Sequence, residues 1–296
     1  MKPSATTHIS SYSKRHHFVA EMLAKRFTDA NGTLYCFNKR VPKKGIFPIT
    51  PINLFVQSHL HPIENEDGTR NVILEEYFAF LEGKANPIIA KIVAAARGGC
   101  KPGLTVEEKQ LWDRFVYYQW KRVPDVHEKY LEDDELERVL QELFADFESK
   151  YRPITSEEKR KFEDPAWRRQ IKQTIRVAML ASGPTPEITE ILYRKGLYIG
   201  VIRKPNKSFL LGSLPVIRLS SSDRMHLADP TVEFWLPIAH DVVVSPAPIP
   251  PSSEQIIYLK DTQVRQLNEA IFRQSTIVAG RSPVLIASLM RSASFP

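Results

Sequence analysis

The spacing of apolar residues changes character near residue 183 and divides the chain in two. Val19, Met22, Leu23 and Phe27 stand at i, i+3, i+4 and i+8, the stripe of a short amphipathic helix. A turn at Ala30-Asn31-Gly32 leads into residues 34–37, which read as a strand. Pro48, Pro51 and Pro62 reduce 45–68 to loop or edge structure, with at most a short element at 53–58. Helical spacing then dominates. Residues 72–82 and 87–97 predict two helices, or one kinked at Asn86-Pro87, and Gly98-Gly99 ends the second. The capping-box pairs Thr105-x-x-Glu108 and Thr155-x-x-Glu158 open further helices, the first over 106–121 with Leu111, Trp112, Phe115, Val116 and Tyr118 on its apolar side. Pro124 starts a long helix to 147, and Pro165 another to 180.

Beyond Gly183, where 12 of the 22 prolines lie, short β-prone runs replace helices. A short helix at 187–194 precedes runs at 197–202, 209–211, 216–219, 232–236, 242–244 and 256–259, with a proline-rich loop at 245–253. Residues 262–276 read as a final helix and 284–289 as a last strand or helical turn. The expected fold class is α+β: an N-terminal helix-strand motif, a central helical bundle and a C-terminal antiparallel β-rich region with a final helix.

At 296 residues, 43% hydrophobic and 25% charged, the chain can bury a sizeable core and is neither a disordered nor a disulfide-scaffold sequence. The organisation expected is a flexible basic arm at 1–15 and a single α+β domain over 16–296, mainly helical to 183 and β-rich from 184. The net charge of +7 favours a polyanionic partner, nucleic acid first. Residues 151–296 carry all of the excess, 20 basic against 13 acidic groups, whereas 1–150 carry 21 of each. Cys36 and Cys100 form no CxxC pair, and no apolar run approaches the roughly 18 residues that span a bilayer, so a soluble, reducing, cytoplasmic setting without membrane contact is expected. GxxxxGK[ST], GxGxxG after a strand, HExxH and GxSxG are all missing, which removes support for a P-loop ATPase, a Rossmann dehydrogenase, a zincin and a common serine hydrolase.

Several side chains remain as candidate chemistry. His16 and His17 are adjacent, so they point to opposite faces of a strand or about 100° apart on a helix. His59 and His61 would share a face if extended. Glu75 and Glu82, seven residues apart, lie on one helical face two turns apart, with Glu76 beside them, suited to a divalent cation or to acid–base work with a histidine. Each also has a plainer reading, as a solvated or packing side chain. Gln119 and Arg122 close a helix rich in aromatics and could hold phosphate, or could complement the helix terminus. Arg169, Lys172 and Arg176 fall at i, i+3 and i+7, a face suited either to a phosphate backbone or to local salt bridges, and Lys39 and Arg40 add basic groups near the N-terminus.

The string His16-His17-Phe18-Val19-Ala20, with Phe27, Asn31-Gly32 and Leu34-Tyr35, resembles the opening of a widespread microbial domain-of-unknown-function family with an HHYVP-type motif. Leu74-Glu75-Glu76 with Leu81-Glu82 is similar to that family's paired-glutamate helix, Gln119-x-x-Arg122-x-Pro124 to its Gln-x-x-Arg-x-Pro helix end, and Val264-Arg265-x-Leu267-Asn268 to a late block. Ala20 replaces the family's proline, and Ser213-Leu214-Pro215 stands where many relatives place an aspartate. The resemblance implies that His16, His17, Glu75 or Glu76, Glu82, Gln119 and Arg122 converge as a catalytic pocket. His17, Glu75 and Glu82 would be ligands for Mg²⁺ or Mn²⁺, and Arg122 the holder of a phosphate. The expected function is a metal-assisted phosphodiesterase on RNA or DNA, of a toxin-like or phage-defence kind. The alternatives are a non-catalytic module binding nucleic acid or a protein partner, and an enzyme on a small phosphorylated ligand or nucleotide.

Overall fold

The computed structural model describes residues 15–58, 63–64, 70–71, 73–126, 133–219, 228–229 and 232–293. The basic arm expected at 1–15 lies outside them except for Arg15, as do His59 and His61. The chain begins with Arg15–His17 (β1). The stripe at 19–27 becomes the helix Glu21–Ala24 (α1) and a 3-10 turn at Lys25–Phe27, burying Leu23, Ala24 and Phe27. Leu34–Asn38 (β2), Phe47–Ile49 (β3), Val56–Ser58 (β4), Ile63–Glu64 (β5) and Arg70–Asn71 (β6) follow.

Ile73–Arg97 (α2) is one helix with Pro87 inside it. Proline removes one hydrogen-bond donor, but Pro87 sits on the exposed side while Leu81, Ala85, Ile88, Ile89 and Ile92 carry a buried stripe past it, so packing holds the helix together. It ends at Gly99, whose φ of 71° is one that side-chain-bearing residues avoid. Val106–Lys121 (α3) opens on the expected capping box: Thr105 Oγ1 accepts from the Glu108 N–H while the Glu108 carboxylate accepts from the Thr105 N–H. Asp133–Lys150 (α4), Ser156–Glu163 (α5, again capped by the Thr155–Glu158 box), Pro165–Ala181 (α6) and Pro186–Tyr193 (α7) complete the helical part.

The β-rich part comprises Gly196–Val201 (β7), Leu211–Gly212 (β8), Ile217–Leu219 (β9), Glu233–Ala239 (β10), Val242–Ala247 (β11) and Glu254–Tyr258 (β12). Asp261–Gln274 (α8), Ile277–Gly280 (β13) and Pro283–Ser292 (α9) follow. A five-stranded sheet runs β12-β7-β11-β10-β9, antiparallel except for the parallel β7–β12 pair. A second sheet, β3-β2-β13-β8, is antiparallel throughout and joins the N-terminal strand to the end of the chain. The mixed α+β expectation therefore holds, with one addition, the strand at 277–280 just past the expected helix, and with 284–289 taking the helical one of their two expected forms. At Ser213 the buried hydroxyl donates to Asp125 and accepts from the Thr276 and Ile277 N–H groups, each at 3.0 Å. It thereby fixes the start of β13. One contiguous apolar cluster extends from Phe18 to Leu289 and packs α2, α3, α8 and both sheets together.

Candidate functional site

The site lies where the first strand and helix lean on α2 and α3. Pairing of β1 with β4 sets His16 opposite Gln57 and His17 opposite Val56, and the strand's alternation sends the two imidazoles different ways. His16 is buried, with Nδ1 2.8 Å from Oε1 of Glu75 on the first turn of α2. His17 is half-buried, with Nδ1 3.1 Å from the Leu54 carbonyl. A carbonyl oxygen can only accept, so Nδ1 carries the proton and Nε2 is the basic nitrogen. Nε2 lies 3.6 Å from Oε2 of Glu21, the first residue of α1.

The loop presenting that carbonyl is held in an unusual conformation. Phe55 has φ 56°, among described residues the single non-glycine in the left-handed region, and its carbonyl accepts from the Phe18 N–H at 3.0 Å. The Phe18 and Phe55 rings pack 5.7 Å apart, which offsets part of that strain.

Gln119 and Arg122 come from the end of α3 and are each 1% exposed. Ala20 has no capping side chain at the start of α1, and its N–H reaches the Gln119 Oε1 at 3.4 Å instead. Arg122 donates from Nε to the Phe18 carbonyl at 3.0 Å and from one terminal nitrogen to Glu82 Oε1 at 2.6 Å, while its guanidinium covers the Phe78 ring at 5.2 Å. Both side chains thus grip the backbone just after the histidine pair, a positioning role. Their burial does not present them to a ligand.

Burial lowers the His17 pKa, against the charges of Glu21 and Glu82 and the Leu54 hydrogen bond, and the Arg122 charge adds to the lowering. Burial also raises the Glu75 carboxyl to about 7. His17 is therefore neutral at pH 7, and Glu75 is near half-protonation.

Of the expected residues, His16, His17, Glu75, Glu82, Gln119 and Arg122 meet at this junction, whereas Glu76 faces solvent. The grouping differs in detail from the expected ligand set. Glu75 faces His16, Glu82 is taken by Arg122, and His17 faces Glu21. Among the described residues no group of three or more His, Cys, Asp or Glu side chains is disposed to hold one metal ion. Glu21 escaped the sequence reading although it is i+4 from His17, a spacing that could have found it. The Leu54 and Phe18 carbonyls left no signal, being backbone.

The expected phosphate-binding residues have other partners. On α6, Arg169 is exposed, but Lys172 and Arg176 are half-buried and engaged by neighbours, Arg176 with Gln173. Lys39 donates to the Phe272 and Arg273 carbonyls at the C-terminal end of α8, where a cation complements the helix dipole. Arg40 is exposed beside it, its N–H bound to the Asn38 side chain. Among the described residues no helix is long and apolar enough to cross a membrane.

A family model described as a protein of unknown function, DUF4238, matches residues 15–282. No curated protein and no solved structure matches the chain.

Proposed function

The chain belongs to this family, DUF4238, whose description names no activity, and from the site itself we propose that it is a phosphodiesterase acting on RNA or DNA by acid–base chemistry at His17 and Glu75. One arrangement carries the reading: His17 is held through Nδ1 by the Leu54 carbonyl with Nε2 left basic, Glu75 stands 2.8 Å from the buried His16 at the same junction, and burial lowers the His17 pKa and raises the Glu75 carboxyl to about 7. On RNA, Nε2 of His17 takes the proton of a 2′-hydroxyl as its oxygen attacks phosphorus. Glu75 supplies a proton to the departing 5′-oxygen, and each group ends in the other's starting protonation state. The Leu54 carbonyl orients His17, the Glu21 carboxylate stands ready to face the imidazolium once Nε2 is protonated, and Arg122 and Gln119 hold the strand that carries it.

The histidine pair is read as the family's HHYVP-type hallmark. At Ala20 this chain has an N–H that the family's proline would lack, and that N–H reaches Gln119. Mg²⁺ or Mn²⁺ enters this reading as a variable of the assay, because His17, Glu75 and Glu82 each face a different partner. A toxin-like or defence role would rest on the same activity.

Purified protein incubated with labelled RNA and DNA, with and without Mg²⁺ or Mn²⁺, tests the reading. Cleavage is expected to fall about 10²–10⁴-fold in His17→Ala with folding retained. Absence of cleavage under every condition, or cleavage indifferent to His17→Ala and Glu75→Gln, removes it. A non-catalytic binding module is favoured by the way Gln119 and Arg122 grip backbone. It predicts a lowered melting temperature in His17→Ala and no activity to lose.

A further inference from the structure

A second charged cluster lies beyond the first along α2. Glu82, Asn86 and Arg97 fall within about 60° of one another around the helix, given about 100° per residue. Arg26, on the 3-10 turn after α1, donates to the Asn86 side chain at 2.9 Å, one turn from Glu82. At the far end Arg97 makes a two-point contact with Asp241, both distances 2.8 Å, where β10 turns into β11. His240 sits beside Asp241, its backbone N–H bound to the Arg26 carbonyl and its Nε2 3.1 Å from a terminal nitrogen of Arg281. Arg281 follows β13, so four separate segments contribute.

The charges do not balance. Of the three guanidinium groups gathered here only Arg97 is paired with a carboxylate, Asp241, while Arg26 meets Asn86 and Arg281 meets His240, and burial together with the charge of Arg97 lowers the pKa of Arg26. Burial also lowers that of His240, with Asp241 opposing and Arg281 and Arg97 adding to it, so the imidazole adds no cation at pH 7. Nε of Arg26 and Nδ1 of His240 are buried without a hydrogen-bond partner, so cationic and donor groups here exceed the acceptors supplied. Arg97 is about half exposed and Arg281 half-buried, so the surplus charge reaches the surface. Such a surplus attracts anions, and guanidinium groups match phosphate oxygens.

We propose that Arg26, Arg97 and Arg281 form a phosphate-binding track along α2 that leads the nucleic-acid backbone to His17. This rests on the reading that the site at His17 takes a nucleic acid. From Asn86, which Arg26 contacts, to Arg97 the helix rises about 16 Å, some five steps of a duplex strand at about 3.4 Å each, so the track holds several phosphates, more than one nucleotide supplies.

Fluorescence anisotropy with labelled single-stranded RNA, single-stranded DNA and duplex DNA, longer than the roughly 4–16 nucleotides such grooves cover, tests it across a salt series. The double variant Arg97→Gln/Arg281→Gln is expected to bind about tenfold or more weakly, with a salt slope shallower by roughly 1 to 2. Arg281→Gln alone, which leaves the Asp241 contact intact, should account for part of this, and Arg97→Lys should keep most of the binding. Arg169→Gln on α6 is the control expected to change little. Melting temperatures show whether each variant is folded. Wild-type protein that binds none of the probes, or track variants that bind as well as wild type, overturns the track, as does binding confined to an acidic protein partner. Binding lost in the track variants but kept in His17→Ala, with no cleavage by wild type, leaves the track standing and removes the catalytic reading.

Discussion

Helix α3 carries buried charge at both ends, and the two ends use it differently. Near the start, Lys109 and Asp113 pair one turn apart, 2.7 Å between Nζ and Oδ1, with both side chains 9% exposed. Lys109 also donates to the Leu192 carbonyl at 3.3 Å. Near the other end, Arg122 spans three segments: it binds the Phe18 carbonyl, Glu82 on α2 and the face of Phe78. The first cluster closes on itself within a helical turn and an adjoining helix. The second fixes the strand that carries His16 and His17, and leaves His17, Glu21, Glu75 and Glu82 partly open to solvent. Burial of charge by itself does not mark a site. An incomplete enclosure marks this one.

Substitution separates the two ends. Arg122→Ala should be the most damaging change, costing about 3–5 kcal/mol in denaturant unfolding, because it strands the Phe18 carbonyl and the Glu82 carboxylate together. A loss below about 1 kcal/mol would mean that water takes over both contacts. At the other end Lys109→Met alone should cost about 3 kcal/mol by leaving Asp113 uncompensated. Burial already raises Asp113 to about 6 against the pull of Lys109. The double variant Lys109→Met/Asp113→Leu should recover most of that loss, since a well-packed apolar pair replaces a self-contained ion pair. No recovery would show that the pair is tied to the fold as widely as Arg122 is.

What could be read from the chain was local. Both capping boxes, the helix start at Pro165 and the histidine and glutamate positions follow from neighbouring residues, and the helices that these caps and Pro165 open stand within a few residues of their expected places. Strand β13 could not be read this way. Ile277–Gly280 is a four-residue apolar run whose strand character depends on pairing with β2, more than 200 positions earlier. Arg169, Lys172 and Arg176 are dense in sequence yet largely committed, whereas Arg26, Arg97 and Arg281 are scattered and gather when four segments meet. Glu75 was named, but not its partner: strand alternation turns His16 toward it, and a residue pair written side by side does not say which member faces inward.

The change in stability with pH is the most telling. Between about 4.5 and about 7 the folded state holds a proton on Glu75 that the unfolded chain has lost, so this group's contribution to stability falls as pH rises through that window and is level above it. Glu75→Gln should therefore gain on wild type in melting temperature from the lower pH to the higher. The direct measurement is an NMR titration of the Glu75 side-chain carboxyl, independent of any substrate. A midpoint near 7 is the result expected of a carboxyl group that can act as an acid beside a neutral His17. A midpoint near the ordinary 4.5 would contradict the acid–base account of the site.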